Sequence, residues 1–368
     1  MYDITNVGDF KIFKASKTAQ ELYGPLIREV RTSNEQFLET FDRPVSEKTI
    51  SGTFVYAHPP NYLGSPTLTW TESRWRELMR DVKALGMDTV IFQAAVWNEL
   101  QECYYPSKAF GAYKSWNVIE PFLSAAASER IKVYLGGYGS TVGWSANVDR
   151  ETAALEERAC VDCLTELLKY REVIEGFYFS SETAYTGSLN RSKIASLNRI
   201  YRHLFEHIKA ADDTLEIMMS PATKFFPGKG DEMLKHWLAT LDQVPIDILA
   251  PQDSIGTCGS RLSQAENMYE RWQEICRQLD VRLWANVEIF ERNDLAAQNN
   301  SITATPERVT AQINLASPYV EKLVCWEAPY YLIASGDVRA ERLARRVFRR
   351  SPSSEAEISA REKISSHV

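Results

Sequence analysis

The feature that most restricts this chain is an alternation. Short β-prone runs recur eight times, at 52–56, 88–93, 132–136, 176–180, within 212–221, and at 247–250, 282–287 and 322–326. Helical periodicity fills the intervals, near 71–86, 115–129, 150–172, 191–210, 231–241, 262–279, 306–316 and 337–349. Thr71-Glu72-Ser73 followed by Trp75, Leu78, Met79 and Val82, with a stop at Gly86, is the clearest of these helices. Strands separated by whole helices cannot be joined as hairpins, so they must run parallel through crossovers. Eight such units close most simply into an α/β fold, a (β/α)8 TIM barrel. No glycine-rich phosphate turn follows an early strand, which argues against an open doubly wound sheet.

Three segments follow. Residues 1–50 read as an N-terminal helical extension, with Leu22, Leu26, Val30, Phe37 and Phe41 at helical spacing. Residues 51–350 hold the barrel and its chemistry. Residues 351–368, SPSSEAEISAREKISSHV, are polar and poor in large apolar groups, the composition of a disordered tail.

Composition narrows the setting. With 44% hydrophobic and 25% charged residues the chain can bury a large core, and no run of about 18 apolar residues exists to span a membrane. The beginning of the chain carries no basic stretch followed by an apolar one, so a cytoplasmic protein is expected. Six scattered cysteines suit reduced thiols. Cys160-x-x-Cys163 falls in a helix without a second pair, and His203 and His207 share one helix face without a further ligand nearby. No metal and no cofactor is therefore expected. A net charge of −7 argues against binding DNA over the whole surface.

In a barrel of this kind function gathers where the strands end. Those ends supply Tyr56 and His58, then Gln93, Trp97 and Tyr138, then Glu182 and Tyr185. They continue with Ser220, Asp253, Glu288, Trp326 and Glu327. Such a pocket is rich in carboxylates and walled by aromatics. Carboxylates there can exchange protons or hold a cation. Elsewhere, the last helix carries Arg339, Arg342, Arg345, Arg346, Arg349 and Arg350 against Glu341. That is either a solvated basic face or a phosphate-binding patch.

Two resemblances add expectations. WTESRWRELMRDVKALGMDTVIFQ, KVYLGGYG, DILAPQDSIG and LWANVEIFE resemble an uncharacterised TIM-barrel family allied to glycoside hydrolases. That likeness implies paired top-face carboxylates, with Glu182 of FYFSSETAY as acid/base and Glu288 or Glu327 as its partner. Asp212-Asp213-Thr214-Leu215-Glu216 resembles the D-D-x-x-E motif of fungal arginine-containing cyclodipeptide synthases. This second likeness implies joining of arginine to another amino acid as a diketopiperazine, drawing on arginyl-tRNA and a second aminoacyl-tRNA. It makes Asp212, Asp213 and Glu216 candidates for catalysis beside Glu182 and Glu288. Asp253, Glu327, Gln93, Trp97, Tyr185, Trp326 and Tyr138 would hold substrate, and Arg339, Arg342, Arg346 and Arg349 the tRNA. The main expectation is thus a tRNA-dependent cyclodipeptide synthase, with a glycoside hydrolase as alternative. Strand alternation meanwhile sends Glu216 into the barrel and places the two aspartates at its N-terminal end.

Overall fold

The computed structural model describes residues 17–57, 67–145, 148–223, 228–292, 301–333 and 337–348. The expected disordered tail, 351–368, lies outside them, as do His58, Arg349 and Arg350.

The chain opens with a long helix, α1 (Lys17–Thr40). The alternation then begins: β1 (Ile50–Val55), α2 (Glu72–Ala84), β2 (Thr89–Phe92), α3 (Ile119–Glu129), β3 (Lys132–Gly136) and α4 (Arg150–Leu167). It continues with β4 (Gly176–Phe179), α5 (Arg191–Ala211), β5 (Glu216–Met219), α6 (Gly230–Thr240), β6 (Ile248–Leu249) and α7 (Leu262–Leu279). Then come β7 (Arg282–Glu288), α8 (Pro306–Ala316), β8 (Lys322–Trp326), the short α9 (Ala328–Tyr331) and α10 (Val338–Val347). Every neighbouring pair of these strands is parallel, and β8 pairs with both β7 and β1, so the sheet closes. The expected (β/α)8 barrel, with a helix ahead of it, is what the chain forms.

Helix starts follow capping chemistry. Thr71, Asp149, Asn190, Thr305 and Asp337 each accept a backbone N–H from the first turn of the helix behind them. The first N–H of α7 finds its acceptor in another element: Asn34 Oδ1, on α1, takes Leu262 N at 2.8 Å. Together with the bidentate Arg43–Glu266 pair (2.7 and 2.9 Å), this holds the N-terminal helix against the barrel wall.

Side-chain alternation divides the core in two. Phe54, Tyr56, Ile91, Tyr134, Tyr178, Met218, Ile248, Ala250, Trp284 and Val324 fill the barrel interior. The opposite set, including Leu215, Ile217 and Met219 of the β5 region, joins the larger cluster between sheet and helices. Glu216 keeps step with Met218 and enters the interior at its lower end. There it accepts from Tyr134 OH and pairs with Arg282 at 2.8 Å. Beside it Lys322 Nζ lies 2.6 Å from Asp88 and 2.6 Å from Thr89 Oγ1, and 5.2 Å above the Trp284 ring. Charge at this end is matched by charge.

Strand spacing here tolerates no side chain at Gly176. A Cβ at that position would sit 1.9 Å from the Glu216 carbonyl oxygen, so β4 and β5 would have to part. Gly176→Ala is expected to cost about 3 kcal/mol or more, measured by equilibrium denaturation.

Candidate active site at the barrel mouth

The opposite end of the barrel is built differently. Tyr56 continues β1 into the mouth, where its buried hydroxyl accepts from Trp326 Nε1. Burial pushes the pKa of that phenol up, and the carboxyl groups of Glu327 and Glu182 add to the shift. Glu327 follows β8 directly, across a cis Trp326–Glu327 peptide. It is 97% shielded, its residue exposure being 3%, and among the described residues no donor is paired with its carboxylate. Burial alone pushes its pKa up to about 8. Glu182 follows β4, is half-buried, and accepts the side-chain amide of Gln252 at 3.0 Å.

A polar floor lies beneath. Ser220 Oγ donates to the Ala250 carbonyl (2.8 Å) and accepts from Asn286 Nδ2 (3.0 Å), while Gln252 also donates to the Ser220 carbonyl (3.3 Å). Tyr178 and Gln93, which follows β2, are both buried beneath the mouth. Trp326, Tyr331 and Phe290 form an aromatic side wall, with ring centroids 5.2–6.2 Å apart. Acceptors, donors and aromatic faces thus converge on one end of the barrel.

Glu288 and Asp253 sit deeper and are committed to the protein. Glu288 Oε2 accepts Thr257 N at 2.7 Å. Asp253, with 0% exposure, accepts Ile255 N (3.1 Å) through one oxygen and Gln312 Nε2 (2.6 Å) through the other. Burial raises both carboxyl groups above their ordinary range, and repulsion by Asp253 raises Glu288 further. Arg308, also buried, gives Nη2 to the carbonyls of Glu288 (3.1 Å) and Phe290. Strand parity accounts for Asp253 alone, since Glu288 shares the inward parity of Trp284. Gln252 falls on the inward side with Ala250, so Asp253 points outward to α8.

The remaining expected residues disperse. Trp97 is half-buried, packed so closely on Gly139 that a Cβ there would meet its ring at 2.7 Å. Tyr138 is buried against Phe110, ring centroids 5.8 Å apart. Tyr185 turns to α6 and donates to Glu232 at 3.0 Å. Asp212 caps α5 and accepts Thr214 N (3.0 Å) and Oγ1 (2.6 Å), and Asp213 is exposed beside it. Both lie at the start of β5, with Glu216, at the far end from the mouth. The α10 arginines face outward on ion pairs: Arg342 and Arg346 share Glu307 (3.4 and 2.7 Å), and Arg339 reaches the Thr303 carbonyl at 3.4 Å. Cys160 and Cys163 are buried free thiols on α4, while His203 pairs with Glu157 (2.6 Å) and His207 with Thr165 (3.0 Å).

Tyr178 and Asn286 were not singled out in the sequence. Their signal was there: each is a polar group on the inward parity of its strand, next to the position that reaches the mouth.

Comparison with known proteins fixes the family. Residues 50–334 match the family described as Domain of unknown function (DUF4434). The chain belongs to that family. No curated protein matches the sequence. Among solved structures, a candidate alpha-L-fucosidase from Bacteroides thetaiotaomicron is 17% identical, with 82% of this chain and 95% of that one covered at a TM-score of 0.66. An endo-1,4-beta-mannanase from Rhizomucor miehei is 15% identical, with coverage of 84% and 96% and a TM-score of 0.52. A GH18 chitinase from Pseudoalteromonas aurantia is 10% identical, with coverage of 80% and 97% and a TM-score of 0.51. At these identities the likeness establishes the architecture.

These findings overturn the expected cyclodipeptide synthase, with its aminoacyl-tRNA partners and ligase or transferase chemistry. The solved structures named above are a candidate fucosidase, a mannanase and a chitinase, and none of them is an aminoacyl-tRNA-dependent enzyme. The five-residue likeness has a local explanation: Asp212 and Asp213 make a helix-to-strand turn, and Glu216 answers Arg282 and Tyr134. No described helix is long and apolar enough to cross a membrane.

The raised Glu327 pKa makes stability depend on pH. A carboxyl that stays protonated when folded binds more protons than the unfolded chain between 4.5 and about 8, so its contribution is full below 4.5 and is lost as pH rises through 8. Glu327→Gln removes this slope. The variant's Tm should exceed that of the wild type by a margin that grows from pH 5 to pH 8, by scanning calorimetry.

Proposed function

We propose that the protein is a glycoside hydrolase working at the C-terminal mouth of the barrel, with Glu327 as proton donor and Glu182 as the partnering carboxylate. One observation carries the reading. Two carboxyl groups within electrostatic reach of the same phenol lie in opposite environments, one buried without a donor and neutral to about pH 8, the other half-exposed and hydrogen-bonded by an amide. Glycosidic cleavage needs such a division, an acid to protonate the leaving oxygen and a second carboxylate to act as nucleophile or to activate water. The family's architecture, shared with a mannanase and a chitinase, supports it.

The chain's own groups fit the remaining steps. Trp326 and Tyr56 offer ring faces to the apolar side of a sugar, and Gln252, Ser220 and Asn286 offer donors and acceptors to its hydroxyls. As the glycosidic bond breaks, the Glu327 proton passes to the departing oxygen. Glu182 meets the positive charge that develops on the ring carbon, and the Gln252 amide holds that carboxylate in place. The six buried free thiols suit a reducing compartment, and we place the enzyme in the cytoplasm.

Aryl glycosides with good and poor leaving groups test the assignment. Glu182→Gln should lower kcat about 100-fold or more for every leaving group. Glu327→Gln should do so only for poor ones, and the fall in activity above about pH 8 should vanish with it. Unchanged rates in both variants, or no hydrolysis of any glycoside tried, would refute the proposal.

A further inference from the structure

Glu182 is held from behind by an unusual amount of buried polar structure. Glu156, on α4, has 6% exposure and no cation within bonding distance among the described residues. Its Oε1 instead accepts two hydroxyls, Ser140 Oγ at 2.5 Å and Ser181 Oγ at 2.8 Å. Ser140 follows β3 and Ser181 follows β4, so one helical carboxylate ties together the loops after two adjacent strands. Ser140 N donates in turn to Ser181 Oγ at 3.2 Å.

The next two residues are clamped as well. Gly143 approaches the Glu182 carbonyl so closely that a Cβ would stand 2.1 Å from its oxygen. The Gly143 carbonyl is itself held by the buried ammonium of Lys193, at 2.8 Å. Thr183 Oγ1 and Tyr201 OH are hydrogen-bonded at 2.5 Å. Positions 181, 182 and 183 are thus each fixed by a different element, and Gln252 fixes the carboxylate.

Stability does not call for this arrangement. Burying a carboxyl group costs free energy that a well-packed apolar side chain of similar size would not incur. What the network supplies is a defined direction for the Ser181–Thr183 backbone. We infer that Glu156 is a positioning residue: it sets the orientation of Glu182 toward the mouth while touching no substrate. The kinetic side of this inference rests on the proposed glycosidase activity, and its structural side does not.

The test compares Glu156→Leu with Glu156→Gln, whose amide oxygen can still accept both serine hydroxyls, and uses Ser181→Ala as a milder break should the leucine variant fold poorly. With aryl glycosides, Glu156→Leu and Ser181→Ala should lose kcat, by about 100-fold for the former, with KM little changed, because displacement by about 1 Å is enough. Glu156→Gln should stay within about tenfold of the wild type. Crystal structures of the variants give a readout independent of any activity. In Glu156→Leu, or in Ser181→Ala if the former is unfolded, the Glu182 carboxylate should leave the 3.0 Å contact with Gln252. Retention of that contact would overturn the inference, whatever the enzyme hydrolyses. So would equal losses in the glutamine and leucine variants, or losses no greater than the fall in folded fraction. Absence of glycosidase activity in the wild type would defeat the functional reading alone, leaving the structural comparison to decide the role of Glu156.

Discussion

Closure of a parallel sheet into a barrel imposes one constraint from which the rest follows: every second residue of every strand must point into a dry interior. Nothing polar survives midway unless it is paired, so the middle is Phe54, Ile91, Met218, Ile248 and Val324. Polar and charged inward residues are driven to the two ends. Each end then has to solve the same electrostatic problem, and the two ends solve it in opposite ways.

At the N-terminal end the solution is neutralisation. Glu216 meets Arg282, Asp88 meets Lys322, and aromatic rings close over them. Those pairs are partly exposed, hence of modest worth, but they give Glu216 and Asp88 each a cation. At the C-terminal end the carboxyl group of Glu327 is buried without a donor, and repulsion and burial keep Glu288 and Asp253 raised. Such groups weaken the fold near neutral pH.

The site was legible as a region and less so residue by residue. The rule that function collects at strand ends led to Glu182 and Glu327, and both lie within electrostatic reach of the Tyr56 phenol. It led equally to Asp253 and Tyr185, which turn outward to α8 and α6 because they sit on the other parity or past a bend in the loop. Supporting groups such as Glu156, Lys193 and Arg308 were invisible, since a lone charge in a helical pattern reads as a solvated one. The Asp212–Glu216 motif misled for a related reason: three acids within five residues look like a site, yet a turn and a strand carry them to the balanced end of the barrel.

The hydrophobic period settled the element order and the parallel connection of the strands, because it acts within a few positions. All eight strands and the helices between them could be placed from that pattern. Only the folded chain decided which carboxylates are paid for by a cation and which stand alone. Burial and partnership depend on residues tens or hundreds of positions apart, such as Tyr56 with Trp326 and Glu327, or Glu182 with Gln252. It is that long-range placement, set by barrel closure, that leaves one acid without a partner and gives another two serine hydroxyls.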